Sequence, residues 1–191
     1  MRKIVLDIET RNTFQEIGKA DPAMLDISVV CIYDSETNEY TSYLQEDLNK
    51  LWPIIEKADI LITFNGDHFD IPLLDKYYSG DLTKIKSLDL LKEVRKSLGH
   101  RIGLGLIAQG TLNKGKGGHG LEAIEWWKKG EIDKIIKYCL EDVKITKEIY
   151  EYAAEHKKLK YKEGEQIIEF PVPTDGWDTK EEAKMTFSLP F

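Results

Sequence analysis

The chain has 191 residues, 41% hydrophobic and 32% charged, with a net charge of −7. That length and composition describe one soluble globular domain with room for a substantial core, and they exclude a low-complexity or fibrous chain. No apolar run approaches the ~20 residues that cross a bilayer; MRKIVLDIET does not read as a signal peptide, and the acidic balance argues against a broad basic nucleic-acid surface.

KIVLDIE is a β-branched apolar run of strand length, followed by a polar, irregular stretch over residues 10–26. ISVVCIYD (27–34) and NEYTSYL (38–44) predict two strands of a hairpin joined by a short turn. In EDLNKLWPIIEKA the apolar residues Leu48, Leu51, Ile54 and Ile55 recur at helical spacing. DILITF (59–64) predicts a buried strand, and a helix is expected from about Ile71, with Pro72 in its first turn, where a missing N–H is tolerated. SLDLLKEVRKSL predicts a brief strand and a helix, RIGLGLIAQGTL a short helix, and NKGKGGHG (113–120) a loop. LEAIEWWKK is helical, and residues 131–156 form the longest predicted helix. KLKYKEGEQIIEFPVP predicts a hairpin turning at Glu163–Gly164, ahead of a polar tail.

Three strands before the first substantial helix, then alternating strand and helix, give an α/β fold. It is a mixed sheet, antiparallel at the start and parallel afterwards, flanked by helices. Residues 1–156 are expected to form the domain, 157–173 a hairpin packed on it, and 174–191 a tail. Cys31 and Cys139 lie in apolar patterns without metal-ligand spacing, as reduced core thiols of a cytoplasmic protein would.

The candidate chemistry rests on carboxylates. Asp7 and Glu9 are two apart on a strand and share a face; adjacent like charges suit a hard divalent ion, although a solvated sheet face would also hold them. Asp70 precedes Pro72 at a helix start, where either it or Asp67 could serve as N-cap. Phe69 stands among polar residues, free to stack on a base. Tyr138 and Asp142, at i and i+4, share one face at the rim of the buried stripe of the longest helix, as a core-rim tyrosine beside an exposed acid also would. Asp89 reads as a helix cap or a supporting group. Lys114 and Lys116 sit on a loop that could reach phosphates, and Lys157, Lys158, Lys160 and Lys162 form a second basic patch; a solvated face is the simpler account of each. His68 and His119 are the only histidines near the candidate segments.

Taken in order, LDIET, TFNGDHFDIP and YCLEDV resemble the DEDD superfamily of 3′–5′ exonucleases, which share the ribonuclease H-like fold. The chain is most similar to the tyrosine branch, which includes the proofreading domain of family B DNA polymerases and small predicted ribonuclease H-like exonucleases. The resemblance covers roughly residues 3–155; the histidine branch would place His where Lys137 stands. It implies that Asp7, Glu9, Asp70 and Asp142 bind two divalent ions, Mg²⁺ or Mn²⁺, and that Tyr138 orients the attacking water. Thr10, Asn65 and Phe69 would then contact the 3′ end of a single-stranded nucleic acid, DNA somewhat favoured over RNA. Tyrosine, with an ordinary pKa near ~10, suits positioning better than proton abstraction. Two bound Mg²⁺ would offset four units of the net charge of −7. The same fold could also serve as a non-catalytic nucleic-acid-binding module or a structure-selective endonuclease. The final residues MTFSLPF resemble a bacterial clamp-binding peptide, which makes a sliding clamp a candidate partner through Phe187, Leu189 and Phe191; packing of these residues on the domain is the alternative. A monomer is expected.

Overall fold

The structure, a computed structural model, describes residues 1–115 and 120–179. Five strands form one sheet: β1 (Lys3–Thr10), β2 (Ile27–Asp34), β3 (Glu39–Leu44), β4 (Ile60–Thr63) and β5 (Ser87–Asp89), in the order β3-β2-β1-β4-β5. β1, β2 and β3 pair antiparallel, whereas β4 and β5 add in parallel, which is the mixed α/β architecture expected from the element order. The helices are α1 (Phe14–Ile17), α2 (Leu48–Ile55), α3 (Asp70–Asp75), α4 (Leu90–Leu98), α5 (Leu104–Leu112), α6 (Gly120–Lys128) and α7 (Ile132–His156).

Both faces of the sheet are buried. Ile4, Leu6 and Ile8 pack with Leu51 and Ile55 of α2 and Leu73 and Leu74 of α3. Val5, Val29 and Cys31 pack on the other face with Cys139, Val143 and Ile149 of α7. The two-residue period of β1 therefore puts Asp7 and Glu9 on the face that α7 covers, and the Cys139 thiol bonds the Asp7 carbonyl at 3.3 Å. A solvated sheet face does not describe this pair. Cys31 and Cys139 are buried free thiols.

The stretch 10–26 is more ordered than its polarity suggests. Thr13 and Glu16 form a reciprocal capping box around α1, and Asp21 caps a 3-10 turn at Pro22–Met24. Asn12 and Asp26 tie the two ends of this segment together through paired hydrogen bonds of 2.9 and 3.1 Å.

A second, two-stranded sheet follows α7: β6 (Lys158–Glu163) and β7 (Gln166–Pro171), with Gly164 and Glu165 in the turn and Gly164 at φ 58°. It docks on α5 at van der Waals limits, since a Cβ on Gly110 would lie 2.5 Å from the Tyr161 backbone. Thr111 donates to and accepts from the Lys160 backbone at 2.7 and 2.9 Å. The chain beyond the hairpin does not trail away at once. Trp177 is buried and stacks on Tyr150 at 5.7 Å, and Lys86 donates to the carbonyls of Gly176 and Thr179. Thr174 to Thr179 thus belong to the folded body, because the Trp177 ring buries against α7. No helix among the described residues is long and apolar enough to cross a membrane.

Candidate metal centre and substrate cleft

Parallel pairing of β1 with β4 runs from Lys3–Ile60 to Val5–Ile62, so Asp7 and Glu9 extend past the C-terminal end of β4. Open α/β sheets bind ligands at this edge. The β1–β2 register slips between Glu9 and Thr10, opposite Ser28, and such a bulge re-aims neighbouring side chains. β1, the turn after β4, α3, α6 and α7 surround a cleft of about 490 Å³.

Asp7, Glu9, Asp70, Tyr138 and Asp142 all line this cleft, as do Thr10, Asn65 and Phe69. One ligand oxygen from each of Asp7, Glu9 and Asp142 can be chosen so that all three lie within 4.8 Å of one another. Glu9, Asp70, Tyr138 and Asp142 are buried, and Tyr138 packs edge-on against Trp126 at 5.8 Å. The i, i+4 spacing on α7 thus serves the cleft, and Asp142 is not the exposed acid that a core-rim pair would leave.

Asp70 is not a capping residue. The N-cap position of α3 is Phe69, which makes no side-chain cap, and Asp70 occupies the first helical position. Asp67 is not the cap either, because its carboxylate accepts from the Ser87 hydroxyl and from Lys92 at 2.5 Å. The Asp70 carboxyl is pushed up to about 7, first by burial and then by the negative charges of Asp89 and Asp142; backbone amides, including that of Ile8, act in the opposite direction.

Asp89 caps α4 through the Leu91 amide at 2.9 Å and also accepts from the Asn65 amide at 2.7 Å. Burial raises its pKa, and these amides counter the rise. It thereby fixes the turn that presents Asn65, whose backbone is left-handed at φ 76°. The next residue must be glycine, because a Cβ on Gly66 would lie 2.3 Å from the Thr63 hydroxyl oxygen.

The lysine expectations fare differently. Lys114 is held by both oxygens of Glu148, at 2.6 and 2.8 Å, and does not line the cleft. Lys116 and His119 lie outside the described residues, as do Phe187, Leu189 and Phe191. His68 is exposed and does not line the cleft. Conversely, Phe14, Leu121 and Ile124 line the cleft without having stood out in the sequence. The T-x-x-E pattern at Thr13–Glu16 is a legible signal for the helix that carries Phe14. No local signal marks Leu121, which is 70% exposed.

Residues 4–154 match a family model described as RNase_H superfamily. The chain belongs to the RNase H superfamily. No curated protein matches it. Membership supports a nuclease, a hydrolase of phosphodiester bonds with nucleic acid as substrate and divalent ions as cofactors. The donor set fits such ions on its own chemistry. It is all oxygen and anionic, as hard divalent cations require, and a cation beside Asp70 would restore the ionised form that burial opposes.

Proposed function

We propose that this RNase H superfamily member is a 3′–5′ exonuclease of the DEDD tyrosine branch, acting on single-stranded nucleic acid, with DNA favoured over RNA. The observation that carries the reading is the convergence of Asp7, Glu9 and Asp142 within 4.8 Å in a cleft that Asp70 and Tyr138 also line.

Asp7, Glu9, Asp70 and Asp142 would hold two divalent ions, Mg²⁺ or Mn²⁺. When bound, such ions neutralise the charge that develops during in-line displacement at phosphorus. The chain itself supplies the rest. Tyr138, fixed by α7 and the Trp126 ring, offers a hydroxyl that orients a water for attack. Asn65 and Thr10 present polar groups to the terminal nucleotide, and Phe69 presents a ring face suited to stacking. Phe14, edge-on to Phe69 at 6.1 Å, fixes that ring and extends the apolar wall.

The test is release of nucleotides from a 5′-labelled single strand in Mg²⁺ and in Mn²⁺, with matched DNA and RNA. Asp7→Ala should abolish release, and Tyr138→Phe should slow it. Unchanged rates in both variants would sink the assignment. A labelled circular single strand should resist cleavage; cutting of the circle would establish the endonuclease reading instead. The sliding-clamp reading of Phe187, Leu189 and Phe191 is tested separately, by whether a triple alanine variant loses clamp-dependent stimulation.

A further inference from the structure

An anionic substrate entering a carboxylate-lined cleft needs cationic contacts from the protein as well as from metal ions. Among the described residues, several cations are already committed to other groups. Lys128 of α6 pairs with Glu16 at 2.9 Å, Lys92 with Asp67 at 2.5 Å, and Lys114 with Glu148. The Arg11 guanidinium lies over the Trp127 ring at 4.3 Å and against Glu46 at 3.5 Å. Arg101 differs. It is exposed, it forms no ion pair among the described residues, and its Nη2 donates at 2.7 Å to Oδ1 of Asn65, which lines the cleft.

Its position is built rather than incidental. Asp89 fixes the Asn65 backbone amide, the Asn65 backbone is left-handed, and the Asn65 side-chain oxygen holds one edge of the guanidinium. A guanidinium has five N–H donors in a planar fork, so most of this one stays available at the rim. The geometry points to Arg101 as a substrate-binding residue that contacts a backbone phosphate of the bound strand, close to the terminal nucleotide. This rests on the exonuclease reading of the cleft and adds to it the protein-borne cation that receives the strand.

The test measures binding as well as turnover. Fluorescence anisotropy of a labelled single strand is followed over a salt series with Asp7→Asn protein, with and without Arg101→Gln. Loss of Arg101 should weaken binding about tenfold, the scale of one charge-assisted hydrogen bond. It should also flatten the slope of log affinity against log salt by about 0.7, the value for one phosphate contact on a single strand. A neutral methylphosphonate scanned through the last few linkages should reproduce the loss at one position, and have no further effect there in the Arg101→Gln protein. Arg101→Lys should keep the salt slope. In turnover, Arg101→Gln should raise KM with kcat nearly unchanged. Arg101 is exposed, so unfolding midpoints should match. Unchanged affinity and slope on Arg101→Gln, while the strand still binds, would overturn the inference and leave the exonuclease reading intact. Weaker binding at an unchanged slope would overturn it too, showing that Arg101 only holds Asn65. Absence of both strand binding and nucleotide release in wild-type protein would overturn both readings.

Discussion

The two ends of β1 treat charge in opposite ways. At its start, Arg2 meets Asp34 through two hydrogen bonds of 2.5 and 3.1 Å, and Lys3 meets Asp178 at 2.7 Å and the Tyr150 hydroxyl at 2.6 Å. Burial opposes ionisation of Asp34 and Asp178, yet the hydrogen bonds and positive charge of these partners outweigh it and hold both carboxyls below their ordinary range. At the other end, burial and neighbouring acids push Asp70 up to about 7 and raise Asp89. One end is charge-compensated and structural. The other gathers acids in a cleft, an arrangement that costs stability until a cation arrives.

The largest effect should come from Asp7→Ala, which removes one donor of the gathered set. Its cost to nucleotide release should exceed the ~10–100-fold loss that follows mutation of an outer partner of a metal ligand. Isothermal calorimetry should show Mg²⁺ binding weakened in parallel. Intact binding would dissolve the contrast between the two ends.

Arg2→Ala should destabilise the fold by about 1–3 kcal/mol, because it leaves the Asp34 carboxylate largely buried without its bidentate partner. Urea unfolding would read this, and kcat at saturating metal should not change. A large fall in kcat would mean that the two ends are coupled.

The ends should also titrate in opposite directions. Asp70 has a higher pKa folded than unfolded, so the native state keeps a proton that the unfolded chain releases. Without metal, its contribution lowers stability as pH rises between 3.8 and about 7. Asp70→Asn should therefore raise the unfolding free energy in EDTA at pH 8, by ~1 kcal/mol or more given 1.36 kcal/mol per pKa unit, while reducing the Mg²⁺-dependent gain. Asp34 has the depressed value, so its contribution is present above 3.8 and is lost as pH falls through its folded value. A wild-type and Asp70→Asn pair with the same pH dependence of Tm in EDTA would refute this assignment.

The smallest effect concerns the segment that follows the acidic end of the strand. Thr13→Ala removes half of the α1 capping box and should cost about 0.5–2 kcal/mol locally. Hydrogen exchange should rise at Glu16 and Ile17 without a change at Val5 or Leu6.

The sequence alone determined what depends on neighbours along the chain. The alternation in KIVLDIE put Asp7 and Glu9 on one face, helical spacing put Tyr138 beside Asp142, and the order of strands and helices implied a mixed sheet. Each candidate had a bland alternative, because local pattern does not say what lies across the sheet. Tertiary structure decides what lies there. α7 covers the Asp7–Glu9 face, Phe69 takes the N-cap position and leaves Asp70 in the cleft, and Glu148 draws Lys114 aside. Trp177 folds back onto Tyr150, and Arg101 meets Asn65 across 36 residues. These are long-range contacts between side chains whose spacing carries no periodic signal, and whether a charge is compensated or waiting for a cation depends on such contacts.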